Sequence, residues 1–386
     1  MRITGIIAEY NPFHNGHQWH IAQARRATGC DGVVVCMDGH FTQRGEPAIQ
    51  SKWDRTRAAL NCGADAVFEL PALYAVRCAE VFARSGVAIL GGLGVDALCY
   101  GSEIADPGFI EKLAMIHEKE PTSVSLETQR GLSEGKTYAR ARGEAISKHL
   151  GVPADVINHP NLILATEYVR AIRSMNLAME SVPVPRRGNY HGVALGAFAS
   201  ASAIRAAFAQ GRTDEALACL PGSAQMLPDR MHSMDDLLMF RLREMSLSET
   251  SALPDISEGL ERRLFRLCRM TGTRDELLEA LKCKRYTHAR LSRMLTHALL
   301  GMDQKMAGMH PVPTYARLLG MRRDAGWLMT ALSERSTIPI VSNPTQLKDD
   351  PVFQLECRAT DTWALLHDDP ERRLPGREFT EKFIIV

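Results

Sequence analysis

Between residues 2 and 103, short apolar runs alternate with longer stretches in which apolar residues recur every three or four positions. The runs Ile3 to Ala8, "GVVVCM" at 32–37, Ala66 to Leu70 and "DALCYGSE" at 96–103 are too short for helices and end in Gly, Asn-Pro or Asp turns. They read as buried strands. Between them, Trp19, Ile21 and Ala22 recur at roughly helical spacing from about Asn15, which is placed to cap that helix. "KWDRTRAALN" gives a second helix ending near Gly63, and "YAVRCAEVFARSGVAILGGLG" a third, closed by glycines. Strands alternating with helices predict parallel βαβ units with right-handed crossovers.

Farther on, "FIEKLAMIHEKE", "GKTYARARGEAISKHL" and the stretch after the Asn-His-Pro-Asn turn at 158–161 continue the helical pattern. "MESVPVPRRGNYHG" is a Pro/Gly-rich loop with room for one last strand before it, and "ASASAIRAAFAQG" opens a helix on serines. Beyond about Gly222 the alternation stops. Residues 230–335 read as successive amphipathic helices, and the β-prone runs "TIPIVS" and "EKFIIV" follow. The expected fold is therefore α/β: an open parallel sheet over 1–220, then a mainly helical domain over 221–386.

Composition narrows the classes. A chain of 386 residues is long for one domain, and 45% hydrophobic content supplies ample core. The formal charge of +1 excludes a polycation. Nine cysteines, odd in number and without a C-x-x-C pair, read as thiols in a reducing cytosol. No run has the length of a signal peptide core or a membrane span, so a cytoplasmic protein without a membrane partner is expected.

Two phosphate-loop lookalikes fail on context. "RGLSEGKTY" has three residues between Gly131 and Gly135 where a Walker A loop needs four, and no buried strand precedes it. "GGLGVDA" at 91–97 follows a helix and enters a strand, the reverse of a dinucleotide loop. The stretch His14-Asn15-Gly16-His17 has the right context, because a strand enters it and a helix leaves it. Two imidazoles at a helix N-terminus can donate hydrogen bonds to phosphate oxygens, and charge on those oxygens grows during displacement at an α-phosphate. A metal site is the alternative, although no carboxylate pair nearby completes it. A pair of surface histidines without a role is the other.

The stretch resembles the H-x-G-H signature of the nucleotidyltransferase superfamily, and "SASAIR" at 200–205 resembles its second signature. There Ser200 and Ser202 with the helix amides would hold the β,γ-phosphates, and Arg205 would supply the counter-charge. "AEYNPFHNGH", "FTQRGEPAI", "YGSE", "HPNLILATEY", "ASASAIR", "KRYTHARLSRMLTHALLG" and the later "IPIVS" and "RATD" together resemble the tRNA(Met) cytidine acetate ligase family over nearly the whole chain. The resemblance implies a Rossmann-like catalytic domain, activation of acetate by ATP as acetyl-adenylate, and N4-acetylation of the wobble cytidine of elongator tRNA(Met). His14, His17 and Arg205 would be catalytic. Ile7, Ala8, Glu9, Tyr10, Asn11, Pro12, Phe13, Asn15, Gly16, Gln18, Trp19 and His20 would form the ATP loop, completed by Gly101, Asn161 and Arg186 or Arg187. Mg²⁺ accompanying the polyphosphate is an expectation of the same kind.

This chain departs from the family pattern at Asp38-Gly39-His40-Phe41, where Ser-Gly-Asn-Phe is usual. Asp38 would place a carboxylate near a polyanion, where it could bind Mg²⁺ or a hydroxyl. Gln43, Arg44 and Glu46 follow a strand's carboxyl end and read as a substrate-side loop, with Arg44 toward acetate or the tRNA. From 260 to 325 there are fourteen Lys/Arg against six Asp/Glu. "KCKRYTHARLSR" at 282–293 has no acid at all, which points to RNA phosphates at Lys282, Lys284, Arg285 and Arg290 with Tyr286 for stacking. The alternatives are adenylyl transfer to a small phosphate-bearing metabolite, or an RNA-binding protein with a vestigial nucleotide site. The basic region speaks against the first, and the intact histidine and Ile-Arg motifs against the second.

Overall fold

The computed structural model describes residues 1–153, 155–186, 195–229, 231–257, 259–283 and 285–386. Arg187 and Lys284 lie outside the described residues. The sheet has eight strands: β1 (Ile3–Ala8), β2 (Gly32–Asp38), β3 (Ala66–Leu70), β4 (Ala97–Ser102), β5 (Glu180–Pro185), β6 (Ala316–Met321), β7 (Ile340–Val341) and β8 (Ile384–Ile385). Their order is β5-β4-β1-β2-β3-β6-β7, with β8 also on β6. Strands β1 to β5 pair in parallel, with Ile3 opposite Gly32 and Ala97 opposite Glu180. Their near-continuous apolar runs suit strands covered on both faces.

Helices α1 (Asn15–Thr28) and α2 (Lys52–Asn61) cover one face around Ile6, Val33, Val35 and Val67. Helices α3 (Ala79–Gly92) and α4 (Pro160–Ser174) cover the other around Ile7, Val34, Leu98 and Tyr100. The chain changes face between β1 and β4, so a crevice opens beyond the carboxyl ends of these two strands. That is where open α/β sheets bind ligands.

Three expectations need correction. The third helix is broken: a short turn at Ala72–Ala75 stops before α3, because Cys78 is extended and the Val76 carbonyl accepts His297 Nε2 at 2.5 Å. The sequence pattern also missed a helix at Thr122–Ser133. "RGLSEGKTY" spans the end of that helix and the turn after it, where Lys136 pairs with Glu134 and Glu144. Finally, the stretch 230–335 is not all helical, whereas the β-prone runs "TIPIVS" and "EKFIIV" after it do supply β7 and β8. The helices of this stretch pack their own core around Leu238, Leu264, Leu278 and Leu295, but β6 then joins β3 antiparallel, and β8 joins β6. An unpaired β3 edge would expose a row of backbone donors and acceptors, and the returning chain covers it. The run "ARLLGM" was hidden because Arg317 interrupts its apolar pattern while pointing into a buried ion cluster.

Candidate functional site

After β1 the chain turns through Tyr10, at φ +52°, and a cis Asn11-Pro12 bond before α1 begins. The N-cap is His14 and not Asn15, which is the first helical residue and donates its amide to the Cys219 carbonyl. His14 Nδ1 accepts from the Gly16 amide at 3.1 Å, and His17 Nδ1 accepts from the His14 amide at 3.2 Å. The two histidines thus close a reciprocal capping box, the role that Ser/Thr and Glu usually share. Their rings stack with centroids 3.6 Å apart. A side chain at Gly16 would lie 2.8 Å from the His14 ring, so the glycine makes room for the imidazole itself. Phe13 and Tyr10 pack against His17 from inside, at 5.6 and 4.7 Å.

This capping fixes the chemistry. An imidazole whose Nδ1 accepts must carry its proton on Nε2, so His14 and His17 both present Nε2–H as donors. Burial, then Arg186 and Arg205, push the His14 pKa down to about 3. Burial and His14 hold His17 well below the usual imidazole range, and burial with Arg186 brings His20 down to about 4. The free site therefore offers neutral donors at pH 7 and no proton to give away.

Helix α5 (Ala201–Ala209) brings the second half of the site. Ser200 caps it by accepting from the Ala203 amide at 3.2 Å. Arg205 reaches back to donate to the Asn11 carbonyl at 2.7 Å, which fastens the serine turn to the histidine loop. At the β4 end, Glu103 accepts from Asn161 Nδ2 and from the Leu162 amide, fixing the start of α4 beside Gly101 and Arg186. Together these elements enclose a cleft of about 860 Å³.

The cleft gathers most of the expected residues: Ile7, Ala8, Glu9, Tyr10, Asn11, His14, Gly16, His17, Trp19, His20, Gly101, Asn161, Arg186, Ser200, Ser202 and Arg205, with Gln43, Arg44 and Glu46. Asn15 and Gln18 instead face a neighbouring hollow of about 560 Å³. Pro12 and Phe13 are buried behind the loop and support it.

Sequence reasoning missed one wall. Thr287, His288, Ala289 and Arg293, at the start of α6 (His288–Leu300), also line the cleft. They sat inside the basic run, and the signal was Thr287, whose side chain caps α6. The 42–47 turn is seated on this helix: Ser292 Oγ donates to the Arg44 carbonyl at 2.6 Å, and Thr296 Oγ1 to the Gly45 carbonyl at 2.8 Å. Gly45 has φ +72°, and a side chain there would stand 2.7 Å from the Arg293 backbone. Only glycine fits. Glu9 accepts from the Gln43 amide at 3.0 Å and completes the link.

The basic residues divide. Lys282 and Arg285 are exposed and lie outside the cleft, and Lys282 has Glu279 at 3.2 Å. Arg290 is committed to the Asp255 carbonyl and Ser257, so it braces a loop. Tyr286 is buried with its hydroxyl on the Ser257 carbonyl, which removes it as a stacking platform.

Asp38 is not in the cleft either. It is fully buried and paired with Arg55 at 2.8 Å, so it is neither a Mg²⁺ ligand nor a repelling charge at the site. His40 is equally buried, accepting from the Lys52 amide and bonding Thr360. Among the described residues, the one His/Asp/Glu trio with ligand spacing is His40, Glu356 and Glu378. Lys52 Nζ already occupies it, 2.5 Å from Glu378. No helix among the described residues is long and apolar enough to cross a membrane.

Known proteins resemble this chain in sequence and in fold. Residues 1–377 match the HIGH Nucleotidyl Transferase family model. The tRNA(Met) cytidine acetate ligase of Acetivibrio thermocellus is 34% identical over 419 residues, covering 100% of both chains. That of Clostridium perfringens is 34% identical over 385 residues, covering 95% of this chain and 96% of its own. Among solved structures, Thermotoga maritima TmcAL bound with alpha-thio ATP superimposes with a TM-score of 0.89 at 28% identity over 100% of both chains. The chain belongs to the tRNA(Met) cytidine acetate ligase family of HIGH nucleotidyl transferases.

Proposed function

We propose that this chain uses ATP to activate acetate as acetyl-adenylate and passes the acetyl group to the wobble cytidine of elongator tRNA(Met). The observation that carries the reading is the pair of neutral Nε2–H donors at the head of α1, fastened through Arg205 to the serine turn of α5. In this reading the β,γ-phosphates lie against Ser200, Ser202 and Arg205, and His14 and His17 donate to the α-phosphate. An acetate oxygen attacks the α-phosphorus, the bond to the β-phosphate bridge breaks, and pyrophosphate leaves. Fixed donors gain most when charge builds on the phosphoryl oxygens, which lowers the barrier and not merely the ground state. The cytidine N4 then attacks the acetyl carbon, loses a proton, and AMP departs with the bridging oxygen.

Mg²⁺ escorting the triphosphate belongs to this reading as well, with Glu9 and Glu46 the carboxylates that line the cleft among the described residues. The tRNA would lie across the start of α6 and the exposed Lys282 and Arg285. Neutralising these two should weaken tRNA binding and reduce its log-log salt slope by about 1 to 2, with adenylate formation unchanged. The direct test supplies labelled acetate, ATP and bulk tRNA. Label on a tRNA cytidine with AMP and pyrophosphate as products supports the reading; ADP, or label that is independent of ATP, refutes it.

A further inference from the structure

The two flanks of the cleft belong to opposite faces of the sheet, and they differ in chemistry. His14, His17 and the Ser200–Arg205 turn lie on the α1 side and are polar donors. On the other side, Ile7 packs from β1 against α3 at Gly86, where Ala79 and Phe82 stand one turn apart, and Tyr168 of α4 lines the same cleft. Phe82 is 3% exposed and Tyr168 4%, yet both contribute wall to the cleft. Gly86 lets Ile7 lie tight against α3, since a side chain there would meet the Ile7 methyl at 2.7 Å. This floor is backed by packed core and has little room to yield.

In-line displacement requires the attacking carboxylate to approach the α-phosphorus from the side opposite the leaving pyrophosphate. Pyrophosphate is drawn to the donors on the α1 side, so the acid enters from the apolar flank. We propose that Ile7, Ala79, Phe82 and Tyr168 form the acyl subsite, and that Ala79 and Phe82 set the two-carbon limit on the acid. The assignment rests on the adenylate-forming reading above. The methyl of acetate meets the Ala79–Phe82 step, and each added methylene must displace a buried side chain.

The test is acid-dependent exchange of labelled pyrophosphate into ATP without tRNA, run with acetate, propionate and butyrate. A misplaced methylene in such a pocket is worth about 10- to 200-fold. Phe82→Ala should therefore raise the butyrate-to-acetate ratio of kcat/KM by about tenfold or more. Ala79→Leu should lower acetate exchange at least about tenfold, with affinity for a non-hydrolysable ATP analogue held within about threefold. Phe82→Leu keeps most of the buried volume and reads the same ratio if Phe82→Ala does not fold. Normal acetate exchange with unchanged ratios in folded variants at both positions overturns the subsite and leaves the adenylate reading standing. No acid-dependent exchange in the unaltered protein overturns the adenylate reading itself.

Discussion

Two groups of charged side chains sit near the carboxyl edge of the same sheet, one sealed in the core and the other lining an open cleft. Behind β2 and β3, Lys52 bonds Glu69, Glu356 and Glu378, Arg317 bonds Glu69 and Glu378, and Arg55 bonds Asp38. All are buried, and each cation meets carboxylates of this chain. Burial pushes Glu356 up to about 8, while Arg317 and Lys52, against burial, hold Glu378 low. The cleft is lined instead by Arg44, Arg186, Arg205 and Arg293 against Glu9 and Glu46, with histidines that stay neutral. Here Arg205 stands 4.0 Å from Glu46 and Arg293 3.8 Å from Asp255, at the wall of an open cleft. Charge sealed inside the core holds structure, and charge that lines a cavity is placed to meet a ligand.

Disrupting the buried group should cost the most stability. Lys52→Met leaves Glu356 without a cation and Glu69 and Glu378 with Arg317 alone, and should lower unfolding free energy by about 3–5 kcal/mol, read by denaturant melts. Asp38→Ser takes away Arg55's carboxylate, leaving it the Glu9 and Gly39 carbonyls, and should act in the same direction, as a stability defect and not as a change in chemistry. Equal melts for Lys52→Met and the unaltered chain would erase the distinction between the two groups. In the cleft, His17→Ala should lower kcat by about 10²-fold or more with ATP affinity little changed, because the donor acts on charge that develops in the transition state. Pyrophosphate exchange at the normal rate would remove His17 from the reaction.

Gly45→Ala probes how the catalytic half and the helical half are joined. Its positive φ and the 2.7 Å approach to the Arg293 backbone leave no room for a methyl, so the Arg44–Glu46 turn must lift off α6. Adenylate formation and tRNA acetylation should both fall by about tenfold, the cost of roughly 1–3 kcal/mol of strain. Loss of acetylation alone would mean that the turn serves the tRNA and not the adenylate.

A further effect appears in the pH dependence of stability. His14 and His20 have pKa values lowered to about 3 and about 4, so between those values and about 6.5 the unfolded chain binds more protons than the folded one. Stability is complete above about pH 6.5 and falls as pH drops toward 4, by up to about 1.4 kcal/mol per pH unit for each such histidine. His20→Asn should flatten this slope. An unchanged slope would show that His20 is not buried neutral.

Much of this architecture is legible along the chain where the determinants are local. Strands β1 to β4 announce themselves by short apolar runs, and the His14 to His17 spacing at a strand end marks the site. What escaped depends on residues far apart. The turn at Gly45 is explained only by Ser292 and Thr296, about 250 positions later. Asp38 looked like a site residue because it departs from the family pattern near the expected phosphate site, and only the meeting with Arg55 inside the core reveals its role. Strand β6 was lost among helices because its arginine answers to Glu69 and Glu378.

The central claim is that acetate itself attacks the α-phosphorus beside the histidine pair. Doubly ¹⁸O-labelled acetate tests it in one turnover with ATP and tRNA, analysed by mass spectrometry of the products. The account predicts one acetate-derived ¹⁸O in AMP for each acetylcytidine formed, with the other retained in the acetyl group and none in pyrophosphate. Unlabelled AMP, or ¹⁸O in a released phosphate, would contradict it.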